Sequence, residues 1–324
     1  MAPLTSPSSL IVTDGKIGDL VQCRGVAEAM GLEPVERIVA PRFPWAWIAP
    51  YGPGDPRERP ASLGAPYPDI AIGSGRRAVP FLRGIKGASK GRTFTICLKD
   101  SRVGERAADF TWVPSHDDLR GRTVMVTLTS PHTLSQERIA AARAELAEDI
   151  AALPSPRVTV LLGGPSGRNR FSAANIALLA ERVAALASQA GAFLLTPSRR
   201  TPASLTTTVS RALEATGRPL RVWNGTGENP YVPWMAAADA IVVTGDSVNM
   251  VGEAAAMGRP VLVHRPDALS PKITGFLDAM AAEGAILPIE DGLVTRAFAP
   301  RDATPHIAAE ALRRYHLHRD ALAD

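Results

Sequence analysis

Between residues 158 and 264, short apolar runs and helical spacing alternate so strictly that few folds remain open to the chain. Residues 158–162, 192–196, 220–223, 240–244 and 260–264 read as strands, and helices are expected over 172–190, after 202 and over 247–257. Strict alternation of this kind implies parallel strands joined by right-handed crossovers. Runs such as Ile241-Val242-Val243 suit strands covered on both faces.

The first half follows the same plan less regularly. A strand over 9–13 leads into a loop, Asp14-Gly15-Lys16-Ile17-Gly18-Asp19. A helix follows with Leu20, Cys23, Ala27 and Met30 on one face, and Gly31 stops it. Further strands are expected over 35–39, 69–72, 93–98, 110–113 and 123–127. Gly73-Ser74-Gly75-Arg76 opens a helix, and another spans 135–153. Residues 41–68, rich in Pro, Gly and Trp, read as an irregular surface loop whose length points to function. Trp45 and Trp47 within it can meet a sugar or a membrane, with packing the favoured role. A chain of 324 residues exceeds what one core supports, so two domains are expected, 1–154 and 155–303, divided at Pro154-Ser155-Pro156. A last helix within 304–324 lies beyond the second sheet.

Composition removes several function classes. The formal charge of +4 comes from 36 basic against 32 acidic residues, with no dense Lys/Arg run, which argues against a nucleic-acid partner. Arginine forks in such a chain suit an anionic ligand or an anionic membrane surface. No window approaches the roughly 18 apolar residues of a membrane span, and residues 1–9 lack the pattern of a secretory signal. A cytoplasmic protein, with contact at the inner-membrane surface left open, is the expectation. Cys23 and Cys97 sit in no CxxC pair and read as reduced core thiols in preference to a disulfide. No HExxH, CxxC or GxSxG pattern is present, so neither a metal nor a serine nucleophile is expected.

In open α/β sheets ligands bind beyond the carboxyl ends of the strands, and four polar loops of the second half leave strands there. The first holds Gly163, Gly164, Pro165 and Ser166, where glycine lets backbone approach a phosphate; a plain turn is the alternative. Ser198, Arg199 and Arg200 suit a diphosphate, or form a solvated charge pair. Asn229 and Tyr231 can hold a base edge and stack on it, or pack. The fourth loop, Thr244-Gly245-Asp246-Ser247, caps a helix that carries Met250 and Glu253. Its N-terminus is an anion site, and Glu253 can accept both ribose hydroxyls. In the first half, Asp14, Gly15, Lys16, Gly18 and Gln22, with Ser74, are candidates for an acceptor or sugar site. Asp19 and His116 are candidate bases, or a helix cap and a surface turn.

Three of these segments, in order, resemble one family. Thr13-Asp14-Gly15-Lys16 with Gly18, Asp19 and Gln22, Pro114-Ser115-His116-Asp117, and Thr244-Gly245-Asp246-Ser247-Val248-Asn249-Met250 with Glu253 resemble motifs of the mitochondrial-fission, elongated-mitochondria-type family and its bacterial members. Some members carry His where this chain has Asp19. The resemblance implies an α/β, GT-B-like fold: two Rossmann-like domains with parallel sheets facing a cleft, the last helix packing back toward the N-terminal domain. It implies a metal-independent glycosyltransferase without a cofactor, using a nucleotide-sugar (a UDP-sugar foremost) and a glycan or lipid-linked acceptor of the cell envelope. Glu253 would then hold the donor ribose, and Thr244 and Ser247 would approach the phosphates. A non-enzymatic adaptor, as plant members suggest, and a nucleotide-sugar epimerase are the alternatives.

Overall fold

The computed structural model describes residues 7–58, 66–167, 169–294 and 296–323. They form two compact units, one reaching to Thr133 and resuming at Ala303, the other comprising Leu134–Asp302.

The first unit runs β1 (Ser9–Thr13), α1 (Ile17–Ala29), β2 (Val35–Ile38), α2 (Trp45–Ile48), β3 (Ile70–Ser74), α3 (Val79–Ala88), β4 (Phe94–Leu98), β5 (Phe110–Pro114) and β6 (Val124–Thr127). The strands pair in the order β2-β1-β3-β4-β5-β6, every pair parallel. Because successive side chains of a strand point to opposite faces, each buried strand feeds two cores. Ile11, Ile72, Ile96 and Trp112 meet α1 on one face, while Leu10, Val12 and Ala71 meet α3 on the other. Cys23 lies in the first core and Cys97 in the second, and both are free thiols. Burial pushes the Cys97 thiol up to about 12.

The second unit runs α4 (Gln136–Ala144), α5 (Glu148–Ala151), β7 (Arg157–Leu162), α6 (Ala173–Ala185), β8 (Ala192–Pro197), α7 (Ala203–Glu214), β9 (Leu220–Val222), α8 (Tyr231–Ala237), β10 (Ala240–Thr244), α9 (Val248–Ala256), β11 (Val261–His264), α10 (Pro271–Ala282) and β12 (Leu287–Pro288). Its strands pair in the order β12-β11-β10-β7-β8-β9, again all parallel. Val158, Val160 and Leu195 pack with Leu179, Val183 and Val209 of α6 and α7 on one face. On the other, Ile150 and Leu153 pack with Leu194 and Trp234. The last helix, α11 (Thr304–Ala323), belongs to the first unit, where Ile307, Ala308, Ala311 and Tyr315 complete the core over α1.

Several expectations change. The boundary between units lies at Thr133, not at Pro154–Pro156, because α4 packs on α8 of the second unit. Arg143 donates to the Ala236 and Met257 carbonyls at 3.2 and 2.9 Å, and Gln136 donates to that of Ala256 at 3.1 Å. The single helix expected over 135–153 is two, broken at the extended Ala147 so that Ile150 and Leu153 reach their core. Gly73 and Ser74 complete β3 rather than open a helix, and α3 starts at Val79. The expected loop over 41–68 contains α2; its residues 59–65 lie outside the described residues, as do residues 1–6 of the amino-terminal stretch. Trp45 is half-buried with the Arg42 guanidinium 5.5 Å from its ring, but Trp47 is exposed rather than packed.

Each sheet reverses its direction of growth once. In the first, β2 and β3 flank β1; in the second, β8 and β10 flank β7. The loops leaving β1 and β3, and those leaving β7 and β10, therefore part in opposite directions and leave a crevice at the carboxyl edge, where ligands of doubly wound sheets bind.

Candidate functional site

At the β7/β10 switch point of the second unit the two loops are stitched together. The Thr244 hydroxyl accepts the Gly163 N–H at 2.7 Å, and the Asp246 carboxylate accepts the Gly164 N–H at 2.9 Å. Asn169 donates to the Asp246 carbonyl at 3.3 Å and to the Ser166 hydroxyl at 3.1 Å, and accepts the Ser270 N–H at 3.1 Å. Glycine is required at both 163 and 164. A Cβ at 163 would lie 2.2 Å from an Asp246 oxygen, and one at 164 would lie 2.1 Å from the Arg200 carbonyl oxygen.

Thr244 and Asp246 are buried at the base of this crevice. Burial raises the Asp246 carboxyl above its ordinary range, against the pull of hydrogen bonds from Thr244 and the Gly164 N–H and of the Arg200 charge. Its Oδ1 is buried without a hydrogen-bond partner. Ser247 caps α9 by accepting the Met250 N–H at 3.5 Å, and Ser247 and Met250 are half-buried at its first turn. The structure thus places Thr244 and Asp246 as ties between loops, whereas Ser247 stands at the helix N-terminus.

The neighbouring strand β8 brings in Ser198, Arg199 and Arg200. Ser198 and Thr201 bond to each other at 2.9 Å, the Arg200 N–H donates to Ser198 at 3.3 Å, and Thr201 lies 2.7 Å from the Leu162 and Gly163 carbonyls. Thr201 therefore fastens the β8 loop to the β7 loop, leaving Arg199 and Arg200 exposed. Tyr231 opens α8, with its N–H held at 3.1 Å by the exposed Asn229 side chain, and its hydroxyl donates to Glu253 of α9 at 2.6 Å. Burial of the Glu253 carboxyl pushes it up to about 7, although the Tyr231 hydrogen bond acts in the opposite direction. The same burial, with Glu253 beside it, raises the Tyr231 phenol well above its usual range.

The first unit gathers charge at its own switch point, described by itself. Asp14, at the end of β1, pairs with Lys16 at 2.9 Å and lies 3.8 Å from Arg77. Asp19, buried in the first turn of α1, pairs with Lys99 at the end of β4, and its carboxylate oxygen would sit 3.1 Å from a Cβ at Gly75. Lys99 holds a φ of 83°, a region costly for a residue with a side chain, and its N–H donates to the Trp112 carbonyl at 2.7 Å. Gly15 supplies the positive φ that turns the chain from β1, and Gly18 lies half-buried in α1. Gln22 and Ser74 are both buried, and the Ser74 hydroxyl donates to the Leu98 carbonyl at 3.1 Å. His116 is half-buried in the turn after β5, whereas Asp19 lies in α1.

Asn169, Thr201, Arg77 and Lys99 are not among the site residues named from the sequence. Each follows a strand by a few residues, a position that gave the signal; only the fold says which partner each meets. Among the described residues no group of three or more His, Cys, Asp or Glu side chains is placed to hold a metal ion.

The family model described as Mitochondrial fission ELM1 matches residues 18–315. Mitochondrial fission protein ELM1 of Arabidopsis thaliana is 26% identical over 242 residues, covering 68% of this chain and 56% of that protein, so the match spans little more than half of the relative. Among solved structures, E. coli ADP-heptose lps heptosyltransferase II is 17% identical with a TM-score of 0.50, over 97% of this chain and 99% of its own. The UDP co-structure of S. aureus MnaA is 12% identical with a TM-score of 0.50, over 95% and 90%. At such identities the likeness is one of fold, and that fold is α/β and GT-B-like, with two parallel six-stranded sheets.

Proposed function

The chain belongs to the Mitochondrial fission ELM1 family, and from that premise we propose that it is a glycosyltransferase whose second unit binds a nucleotide-sugar, a UDP-sugar foremost. The observation that carries this reading is the stitched β7/β10 switch point, where the α9 N-terminus, Arg199 and Arg200 border one carboxyl edge and the Tyr231–Glu253 pair closes it. The helix end and the guanidiniums suit a diphosphate, Glu253 suits the two ribose hydroxyls, and Tyr231 with Asn229 suits the base. The acceptor belongs with the first unit and is a glycan or lipid-linked molecule of the cell envelope, met at the cytoplasmic face. In the transfer, an acceptor hydroxyl oxygen bonds to the anomeric carbon as the bond to the diphosphate oxygen breaks, its electron pair leaving with the diphosphate. Asp19 or His116 takes the hydroxyl proton, and Arg199, Arg200 and the α9 N-terminus hold the departing charge.

Thermal melting of the full chain with UDP, GDP, CMP and ADP, and with their sugars, tests this reading against Glu253→Ala. A ligand at about 100 times its Kd stabilises a fold by about 2.7 kcal/mol, and the shift should vanish in the variant. The relative named for mitochondrial fission, matched over 56% of its length, favours a second reading as a non-enzymatic adaptor. A folded chain that no nucleotide stabilises would leave that reading standing. Sugar isomerisation on the nucleotide without an acceptor would instead mark an epimerase.

A further inference from the structure

The first unit displays Phe43, Trp47 and Tyr51 at 81%, 75% and 68% exposure, spaced four apart along one segment of a chain in which aromatics are 5% of residues. The segment is firmly held. Arg42 grips the buried Asp55 carboxylate with two hydrogen bonds of 2.9 and 2.7 Å, and the Arg57 N–H donates to the same carboxylate at 3.0 Å. Glu58 accepts the Ala40 N–H at 3.0 Å, and Arg76 donates to the Ala49 carbonyl at 3.4 Å. Gly54 approaches Phe81 so closely that a Cβ would lie 3.2 Å from the ring. The aromatics therefore stand in water on a fixed support, a cost that core packing does not repay.

Tyr51 also lines a pocket of about 220 Å³ together with Arg83, Val103 and Arg106. Arg83 and Arg106 are exposed, and neither guanidinium forms an ion pair or a hydrogen bond among the described residues. The acids close by in sequence are engaged elsewhere: Glu105 accepts the Thr123 N–H at 2.9 Å, and Asp100 accepts that of Arg102 at 2.8 Å. Two unpaired guanidinium forks and a phenol around a small pocket match a phosphate. The Tyr51 phenol at such a pocket, with the exposed Trp47 indole four residues before it in the same held segment, matches the headgroup layer of a bilayer, where amphipathic rings concentrate. A water-soluble phosphate ligand would account for the arginines and leave Phe43 and Trp47 unexplained.

We propose that this face docks on an anionic phospholipid bilayer, with Arg83 and Arg106 taking a lipid phosphate while Phe43, Trp47 and Tyr51 enter the headgroup layer. The inference deepens the reading of a lipid-linked acceptor and rests on it only for its purpose, since vesicle binding is measured without any sugar transfer.

Sedimentation of the full chain with phosphatidylcholine vesicles and with mixed phosphatidylcholine–phosphatidylglycerol vesicles tests it. The chain should bind the mixed vesicles far better, and less so as salt rises. Arg83→Gln and Arg106→Gln should each weaken binding about fivefold, and Phe43→Ser with Trp47→Ser should weaken it roughly tenfold or more. All four positions are exposed, so melting temperatures should stay at the wild-type value and certify the fold. The proposal is overturned if the mixed vesicles do not bind, if neutral vesicles bind equally, or if the arginine variants bind like wild type. Stabilisation by inorganic phosphate without vesicle binding would also overturn it, in favour of a free-phosphate site. The nucleotide-induced shift, measured on the same samples, reports the second unit separately, so either reading can fail without the other.

Discussion

Glu253 is the residue on which pH acts most directly. Its carboxyl titrates near 7 in the fold against 4.5 as a free side chain, so the folded chain holds a proton that the unfolded chain has released across that interval. The group therefore favours the fold fully below about pH 4.5, and that contribution is lost as the pH rises through about 7, amounting to about 3 kcal/mol. Glu253→Gln keeps an acceptor for the Tyr231 hydroxyl and removes the titration. Melting curves should show wild type losing stability against Glu253→Gln between pH 4.5 and 7; a constant difference would refute the shift. Where the ionised carboxylate receives the ribose hydroxyls, nucleotide affinity should rise over the same interval, and calorimetric titration at several pH values checks this. Glu253 was legible as a ligand candidate from its place in the helix after the β10 loop. Its partner was not, because Tyr231 lies 22 residues earlier and only the fold brings the phenol within 2.6 Å.

At the scale of elements, the β7 and β10 loops behave as one piece. Gly163→Ala should cost about 1–3 kcal/mol, since the added carbon overlaps the Asp246 carboxylate. Asp246→Ala should also cost about 1–3 kcal/mol by stranding the Gly164 N–H and the Thr244 hydroxyl. The double variant should lose less than the sum, because the alanine at 246 leaves room for the alanine at 163. Urea denaturation of the three variants measures the coupling, and simple additivity would count against the stitched geometry. The elements that escaped the sequence reading have local reasons. Helix α8 carries Pro233 in its first turn, where proline is tolerated but resembles a loop signal. Helix α10 went unread although its start signal, a capping serine followed by proline at Ser270 and Pro271, stands in the sequence, and the structure has Ser270 accepting the Ile273 N–H.

At the scale of the whole molecule, the chain returns from its second unit to finish its first. Ile307, Ala311 and Tyr315 of α11 are buried against Ile11, Phe94 and Phe110, so one face of this helix is core although it follows the second sheet in the chain. Tyr315→Ala should destabilise the first unit by about 3–5 kcal/mol. Removal of residues 304–324 should unfold that unit while a separately expressed 134–302 fragment stays folded and keeps any nucleotide binding. Scanning calorimetry of the three proteins tests this, and a fragment that does not fold would contradict the independence of the two cores.

Local periodicity by itself determined the parallel α/β class and the polar loops at strand ends, because a strand buried on both faces must be apolar throughout and its loop must not be. The motifs around Asp14, His116 and Asp246 likewise stood in the sequence as a family pattern. Only the tertiary structure decided which polar groups meet. It joined Asp19 to Lys99 and Asp246 to the Gly164 N–H, sank Thr244, Gln22 and Ser74 below the surface, and left Trp47 in solvent. It also moved the unit boundary to Thr133. Spacing along a chain reports which face of an element a residue occupies, whereas hydrogen bonds and ion pairs depend on distances between elements, which are set when the sheets close over their cores.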